Sequence, residues 1–147
     1  VCSSDLSHDA IVDEIRADVA GKIVIDAVVP LVPPSVTVVQ LPATGSPGMV
    51  AQRILGPDVR VVSAFHNVSS KALQSGKADC DVLVFGDDLD ARAEVLDLAG
   101  AIGARGIDGG GLANSVAAEA LTSILISLNI QYRIPAAGIR FTGLPPL

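Results

Sequence analysis

Apolar residues run along this chain in short blocks separated by polar or glycine-rich breaks, and the blocks alternate between two periods. In SHDAIVDEIRADVAGK, Ile11, Ile15 and Val19 recur at i, i+4 and i+8, which predicts a helix that Ser7 or Asp9 can cap and Gly21 closes. KIVIDAVVPLVPP follows as a buried strand stopped by its prolines. GSPGMVAQRIL predicts a helix with Ser46 as N-cap and Pro47 at its first position. VRVVSAF is a second strand that runs into His66 and Asn67, and DVLVFG is a third. The helix DLDARAEVLDLAGAIG, a short strand ARGID, three glycines and a long helix from about Leu112 to Ile130 complete the pattern, with GIRF as a candidate last strand.

Strands alternating with helices predict an α/β fold with a mostly parallel sheet, flanking helices and right-handed crossovers. Half of the 147 residues are apolar, and many sit in continuous Val, Ile, Leu and Ala runs. Strands covered on both faces have that composition. The first element met is a helix entering a strand, as in a chain lacking its leading strands. The opening VCSSDL is also the translation of GTG TGC TCT TCC GAT CT, the end of a common sequencing adapter. We therefore expect residues 1–6 to be a library artefact, and residues 7–147 to be the C-terminal part of such a domain.

Charge narrows the partners. A net charge of −6, one Tyr, three Phe and no Trp argue against nucleic acid, which calls for a basic stripe or stacking aromatics. The most apolar stretch, AEALTSILISLNI, is interrupted by Glu119, Thr122, Ser123, Ser127 and Asn129, so no membrane span is expected. With Cys2 set aside, Cys80 stands alone. That makes a disulfide framework unexpected, a reducing cytoplasm the default and a core position its expected place.

In an open parallel sheet, ligands bind beyond the carboxyl ends of the strands. That rule selects Asp26 to Pro30, His66 to Val68, Gly86 to Asp88 and Asp108 to Asn114. DGGGLANS is the most unusual of these. Its glycines permit close approach of a ligand and open a helix whose N–H groups can face an anion or a cofactor carbonyl, or else the loop is a strand-to-helix link capped by Asn114. His66 stands where the fold puts ligands, whereas His8 is expected on a solvated helix face. The long helix, apolar nearly all round, is expected to be buried. Its stripe of Ser115, Glu119 and Thr122 is either a wet edge or the lining of a site. The acidic GDDLDARAE suits a helix start better than a metal site, and no metal is expected.

Taken together, GKIVIDAVVPL, VRVVSAFHNVSSKAL, DVLVFGDD, IDGGGLANSVAAEALTSILISLN and AAGIRFTG resemble the NADPH-dependent reductases of the deazaflavin coenzyme F-420, from Ile11 to Gly143. The resemblance implies a Rossmann-like domain and hydride transfer between NADP(H) and coenzyme F-420. These cofactors carry the reacting carbons, so no catalytic side chain is implied. By position, Ala27, Val28 and Val29 would lie near the nicotinamide, and His66, Asn67 and Val68 beside the deazaflavin, with Leu112 and Asn114 closing its other side. The Gly-x-Gly-x-x-Gly phosphate loop of such enzymes is not present in these residues, so a preference for NADP over NAD rests on the resemblance alone. The implied partners are small-molecule cofactors and, through exposed apolar sheet, a second copy in a homodimer. The alternatives are a related NADPH-dependent metal or flavin reductase domain, and a ligand-binding or regulatory α/β module without turnover.

Overall fold

The computed structural model describes residues 5–43 and 45–144. It contains helix α1 (Asp5–Ile15), strand β1 (Ile23–Asp26), α2 (Pro47–Leu55), β2 (Arg60–Ser63), α3 (Ser70–Ser75), β3 (Asp81–Gly86), α4 (Leu89–Ala101), β4 (Arg105–Asp108) and α5 (Ser115–Tyr132). The four strands form one sheet in the order β1-β2-β3-β4, with helices on both faces. The expected Rossmann-like α/β architecture is what the chain adopts. Of the opening hexapeptide, residues 1–4 lie outside the described residues, while Asp5 and Leu6 belong to the first turn of α1.

Local chemistry explains several boundaries. Ser46 caps α2 by accepting a hydrogen bond from Met49 N at 3.1 Å, and Pro47 occupies the first turn, where its missing N–H costs nothing. Asp88 caps α4 in the same way, accepting from Ala91 N at 2.7 Å. The acidic run before α4 thus serves backbone amides, as its position at a helix start suggests.

The sheet is mixed. β1 pairs parallel with β2 (Ile23 opposite Arg60), and β3 pairs parallel with β4 (Asp81 opposite Arg105). β2 and β3 run antiparallel, with Val62 opposite Gly86 and Ser63 opposite Phe85. Helix length accounts for this reversal. The two parallel pairs are joined through α2 and α4, of nine and 13 residues, whereas α3 has only six. Six helical residues span about 9 Å, short of the roughly 13 Å of the four-residue β2, a length that the nine residues of α2 match. The chain instead turns at Phe65, whose φ is +67°, passes through α3, and re-enters beside the end of β2. The sequence reading did not anticipate α3, and the reversal moves the ends of β3 and β4 to the opposite edge from the ends of β1 and β2.

Alternation along β2 divides the core. Val62 faces a cluster with Val82, Val84, Ala91 and Val95 under α4, and Val61 faces Val12, Ala51, Leu55 and Leu112 under α1 and α2. Cys80 is buried in the first cluster, as expected of a core thiol. Three expectations need correction. β1 is only half-buried, with Ile25 at 37 % exposure, because it is the edge of the described sheet. GIRF forms no strand; the chain there is held by Asp81, whose N–H donates to Ile139 O and whose carboxylate accepts from Phe141 N. Helix α5 is not buried all round: Ser115, Ala118, Glu119, Ser123 and Leu125 face inward, while Ile124 and Ile130 are 45 % and 65 % exposed. By length and composition alone, Leu112–Tyr132 could cross a membrane, but its inward side carries buried polar groups bonded within this domain.

Asp81 ties distant segments together. Arg105 donates to its two oxygens at 2.9 and 2.5 Å, and its own carbonyl accepts from Asn67 Nδ2 at 2.8 Å. The Arg105 guanidinium holds the Asp81 carboxyl below the usual carboxylate range, so the charged form is favoured in the folded state. Stability from a lowered pKa is present above the unfolded value and lost as pH falls through the folded one. Asp81→Asn is therefore expected to lower Tm by about 3–8 °C at pH 7, with the gap to the parent closing below about pH 4. Thermal melts of both proteins between pH 3 and pH 7 check this.

Candidate functional site

Two of the sequence-predicted groups meet at one edge of the sheet. Because β1 and β2 are parallel neighbours, Ala27 to Val29 and His66 to Val68 emerge from adjacent strand ends, joined by the Ala64 N to Asp26 O bond of 3.0 Å. The 27–29 segment is fixed at its start by Asp26, whose Oδ1 accepts from Val28 N at 2.8 Å, leaving Ala27 and Val28 exposed. Beside the second group lies an open cleft of about 150 Å³ lined by His66, Asn67, Val68, Thr122, Ile126 and Asn129, among others. One wall is apolar and the rim carries amide and hydroxyl groups.

His66 is 7 % exposed and held from both sides. Its Nε2 lies 2.9 Å from Ser63 Oγ, and its carbonyl accepts from Thr122 Oγ1 at 2.9 Å. Burial pushes its pKa down to about 4, so the ring is neutral at physiological pH. Ser63 also donates to Glu119 Oε1 at 3.2 Å; the same oxygen accepts from Ser115 Oγ at 2.8 Å, and Ser115 Oγ lies 2.8 Å from Ser46 Oγ. Glu119 is 1 % exposed, its pKa is raised by burial, and its Oε2 has no partner among the described residues. The polar stripe of the long helix is thus no wet edge: Ser115 and Glu119 are buried against the end of β2, while Thr122 lines the cleft and bonds the turn after β2.

Leu112 and Asn114 stand apart from this group. Leu112 is 2 % exposed in the core beneath α1 and α2, and Asn114 donates to Gly109 O at 3.2 Å. The triglycine loop is occupied with its own bonds. Gly109 N donates to Val84 O, Gly110 N to Asp108 Oδ1 and Leu112 N to Asp87 Oδ1. A Cβ at Gly109 would lie 2.2 Å from the Phe85 ring, so glycine is required there by protein packing, with no ligand involved. The Asn114 side chain does not cap α5. Among the described residues, no group of three or more His, Cys, Asp or Glu could hold a metal ion.

No family model matches the chain. It is 40 % identical over 139 residues to the F420-dependent NADP reductase of Methanocaldococcus jannaschii, covering 90 % of this chain and 62 % of that protein. It is 38 % identical over 143 residues to the F420-dependent NADP reductase of Methanothermobacter marburgensis, covering 92 % and 64 %. Over most of its length the chain is thus similar to F420-dependent NADP reductases. It spans a little over six tenths of the length of these curated relatives. Among solved structures, a protein of Arthrobacter sp. FB24 described as a candidate F420-dependent NADP reductase superposes with a TM-score of 0.74 at 27 % identity, covering 97 % of this chain and 67 % of that one. A hypothetical protein of Sinorhizobium meliloti, at 24 % identity and a TM-score of 0.60 over 76 % of this chain and 55 % of that one, shares the fold. The resemblance read from the sequence and the similarity to these reductases agree.

The sequence reading missed one participant. His8 is 8 % exposed, and its Nε2 lies 2.8 Å from Asp26 Oδ2, so α1 is pinned to the strand end that carries Ala27 to Val29. The inward face of α1 is His8, Val12 and Ile15, with Ile11 56 % exposed, because a buried carboxylate on β1 needs a partner. The hydrogen bond to Asp26 raises the His8 pKa against the opposing effect of burial. Stability from a raised pKa is fully present below the unfolded value of about 6.5 and is lost as pH rises through the folded one. His8→Leu, which leaves Asp26 buried without that partner, is expected to cost about 1–3 kcal/mol at pH 6 and less at pH 9. Urea unfolding of both proteins at the two pH values measures the difference.

Proposed function

We propose that residues 7–147 form the C-terminal, deazaflavin-side part of a cytoplasmic oxidoreductase that passes a hydride between NADP(H) and coenzyme F-420. The observation that carries this reading is the shared sheet edge, where Ala27 to Val29 and His66 to Val68 emerge from adjacent parallel strands. Two flat cofactors stacked face to face need such neighbouring platforms.

The residues present suit the deazaflavin. The cleft beside His66 accepts one edge of a flat ring, with Ile126 and Val68 against its apolar surface and Asn67, Thr122 and Asn129 at its polar rim. Asn67 donates to Asp81 O, which fixes its amide. On the other side, Ala27 and Val28 offer small exposed side chains to the nicotinamide, on a backbone clamped by Asp26. When bound, the two cofactors supply the donor and acceptor carbons. The work of this chain is to orient them and exclude water. A neutral His66 adds a hydrogen-bonding group without adding a charge. Leu112 and Asn114 act on the site only indirectly, through the loop and core they support.

His66→Ala, made in the natural full-length protein, is expected to raise the KM for F-420 at least several-fold with little change in the KM for NADPH. Steady-state kinetics with each substrate varied checks this, and an unchanged F-420 KM removes His66 from the site. A protein that binds F-420 without oxidising NADPH would favour the reading as a binding module. Ile25, Val28 and Val32 lie exposed on or just beyond the free edge strand, so the isolated chain is also expected to self-associate, as a homodimer or larger, in light scattering.

A further inference from the structure

With Glu119 Oε1 as the acceptor of two hydroxyls, the network around it has a direction. Ser46 Oγ already accepts from Met49 N, and Ser115 gives its one hydrogen to Glu119 Oε1, so Ser46 donates to Ser115. Ser63 likewise gives its one hydrogen to Glu119 Oε1. Ser63 Oγ can then only accept from His66, which places the ring proton on Nε2. Oε1 receives two hydroxyls, which suits an oxygen without a proton, and Oε2 has no partner among the described residues. The remaining ring nitrogen, Nδ1, has no hydrogen bond among the described residues, and His66 is one of the residues that line the cleft.

We propose that Glu119 is a positioning residue that acts through Ser63: it fixes His66 as the Nε2–H tautomer, so that an unprotonated Nδ1 is offered to an N–H or O–H donor on the bound deazaflavin. The identity of that ligand rests on the function proposed above; the tautomer itself does not. Burial favours the neutral ring, and the Asp26 charge opposes it only weakly. With Nδ1 as an acceptor, the site would favour ligands that present a donor at this edge and disfavour those that present a carbonyl there, since two acceptors facing each other leave both unsatisfied.

The test uses the full chain labelled with nitrogen-15 at histidine. Long-range proton–nitrogen NMR reports which nitrogen of His66 carries hydrogen. The wild-type ring is expected to show the Nε2–H pattern at pH 7. Glu119→Gln, whose amide oxygen can accept the same two hydroxyls, is expected to keep it. Ser63→Ala, a change of one buried oxygen, is expected to give a mixture of tautomers while the fold, followed by circular dichroism, is retained. An Nδ1–H ring in the wild type, or an unchanged pattern in Ser63→Ala, overturns the proposal. F-420 is then titrated into each protein. Binding in Ser63→Ala weakened by the inverse of its remaining Nε2–H fraction, about twofold for an even mixture, with Glu119→Gln at the wild-type value, supports the ligand half of the proposal. Equal binding by all three overturns that half. Failure of the wild type to bind F-420 would instead count against the proposed function, with the tautomer still deciding the role of Glu119.

Discussion

The reversal between β2 and β3 is the constraint on which the rest of the molecule depends. Had β3 joined the sheet parallel to β2, its first residue would lie at the far edge, away from the turn after β2. Running antiparallel, β3 brings Asp81 directly beneath that turn, where its carbonyl holds Asn67. The same residue receives Arg105 from β4 and the backbone at Phe141. One residue at the start of one strand thus fixes the cleft rim through its carbonyl, and the neighbouring strand and the terminal segment through its carboxylate.

A second organising element is polar and lies within the core layer between the sheet, α2 and α5. Burying a carboxyl costs several kcal/mol unless hydrogen bonds compensate, and a core packed with Val and Leu would be the cheaper solution. The chain instead carries Ser46, Ser63, Ser115 and Glu119 into that layer and connects them to His66. Networks of this kind are retained where direction matters, because each hydroxyl has one hydrogen to give. It also explains an oddity of α5, which turns its polar stripe inward and leaves Ile124 and Ile130 exposed.

Much of this was legible in the sequence wherever a local signal decided the matter. Ser46 before Pro47 announced a helix start, Asp88 announced another, and the Val-rich blocks marked the strands. His66 could be singled out because it directly follows a strand. The remainder depended on contacts between distant positions. Nothing near His8 in the chain indicates that Asp26, 18 residues on, will be its partner. The six residues of α3 are too few to show a period, and with them went the direction of β3. Leu112 followed a strand end as the rule requires, but the reversal placed that end elsewhere, and its side chain fills the core. The apolar character of α5 was read as burial, although hydropathy alone cannot say which side of a helix a domain covers.

Phe65 carries one more consequence. It sits in the left-handed region, where glycine or asparagine is at ease, yet its ring packs against the cluster beneath α4. Glycine would relax the backbone and empty that space, and asparagine would put an amide into it. Neither exchange satisfies both demands, so the position before His66 is closed to the usual routes of change. Variation in what the cleft accepts has to come from its α5 wall, where Ile126 projects from a regular helix and can differ in size without disturbing the turn, whereas Asn129 is tied through its Oδ1 to Ala137 N.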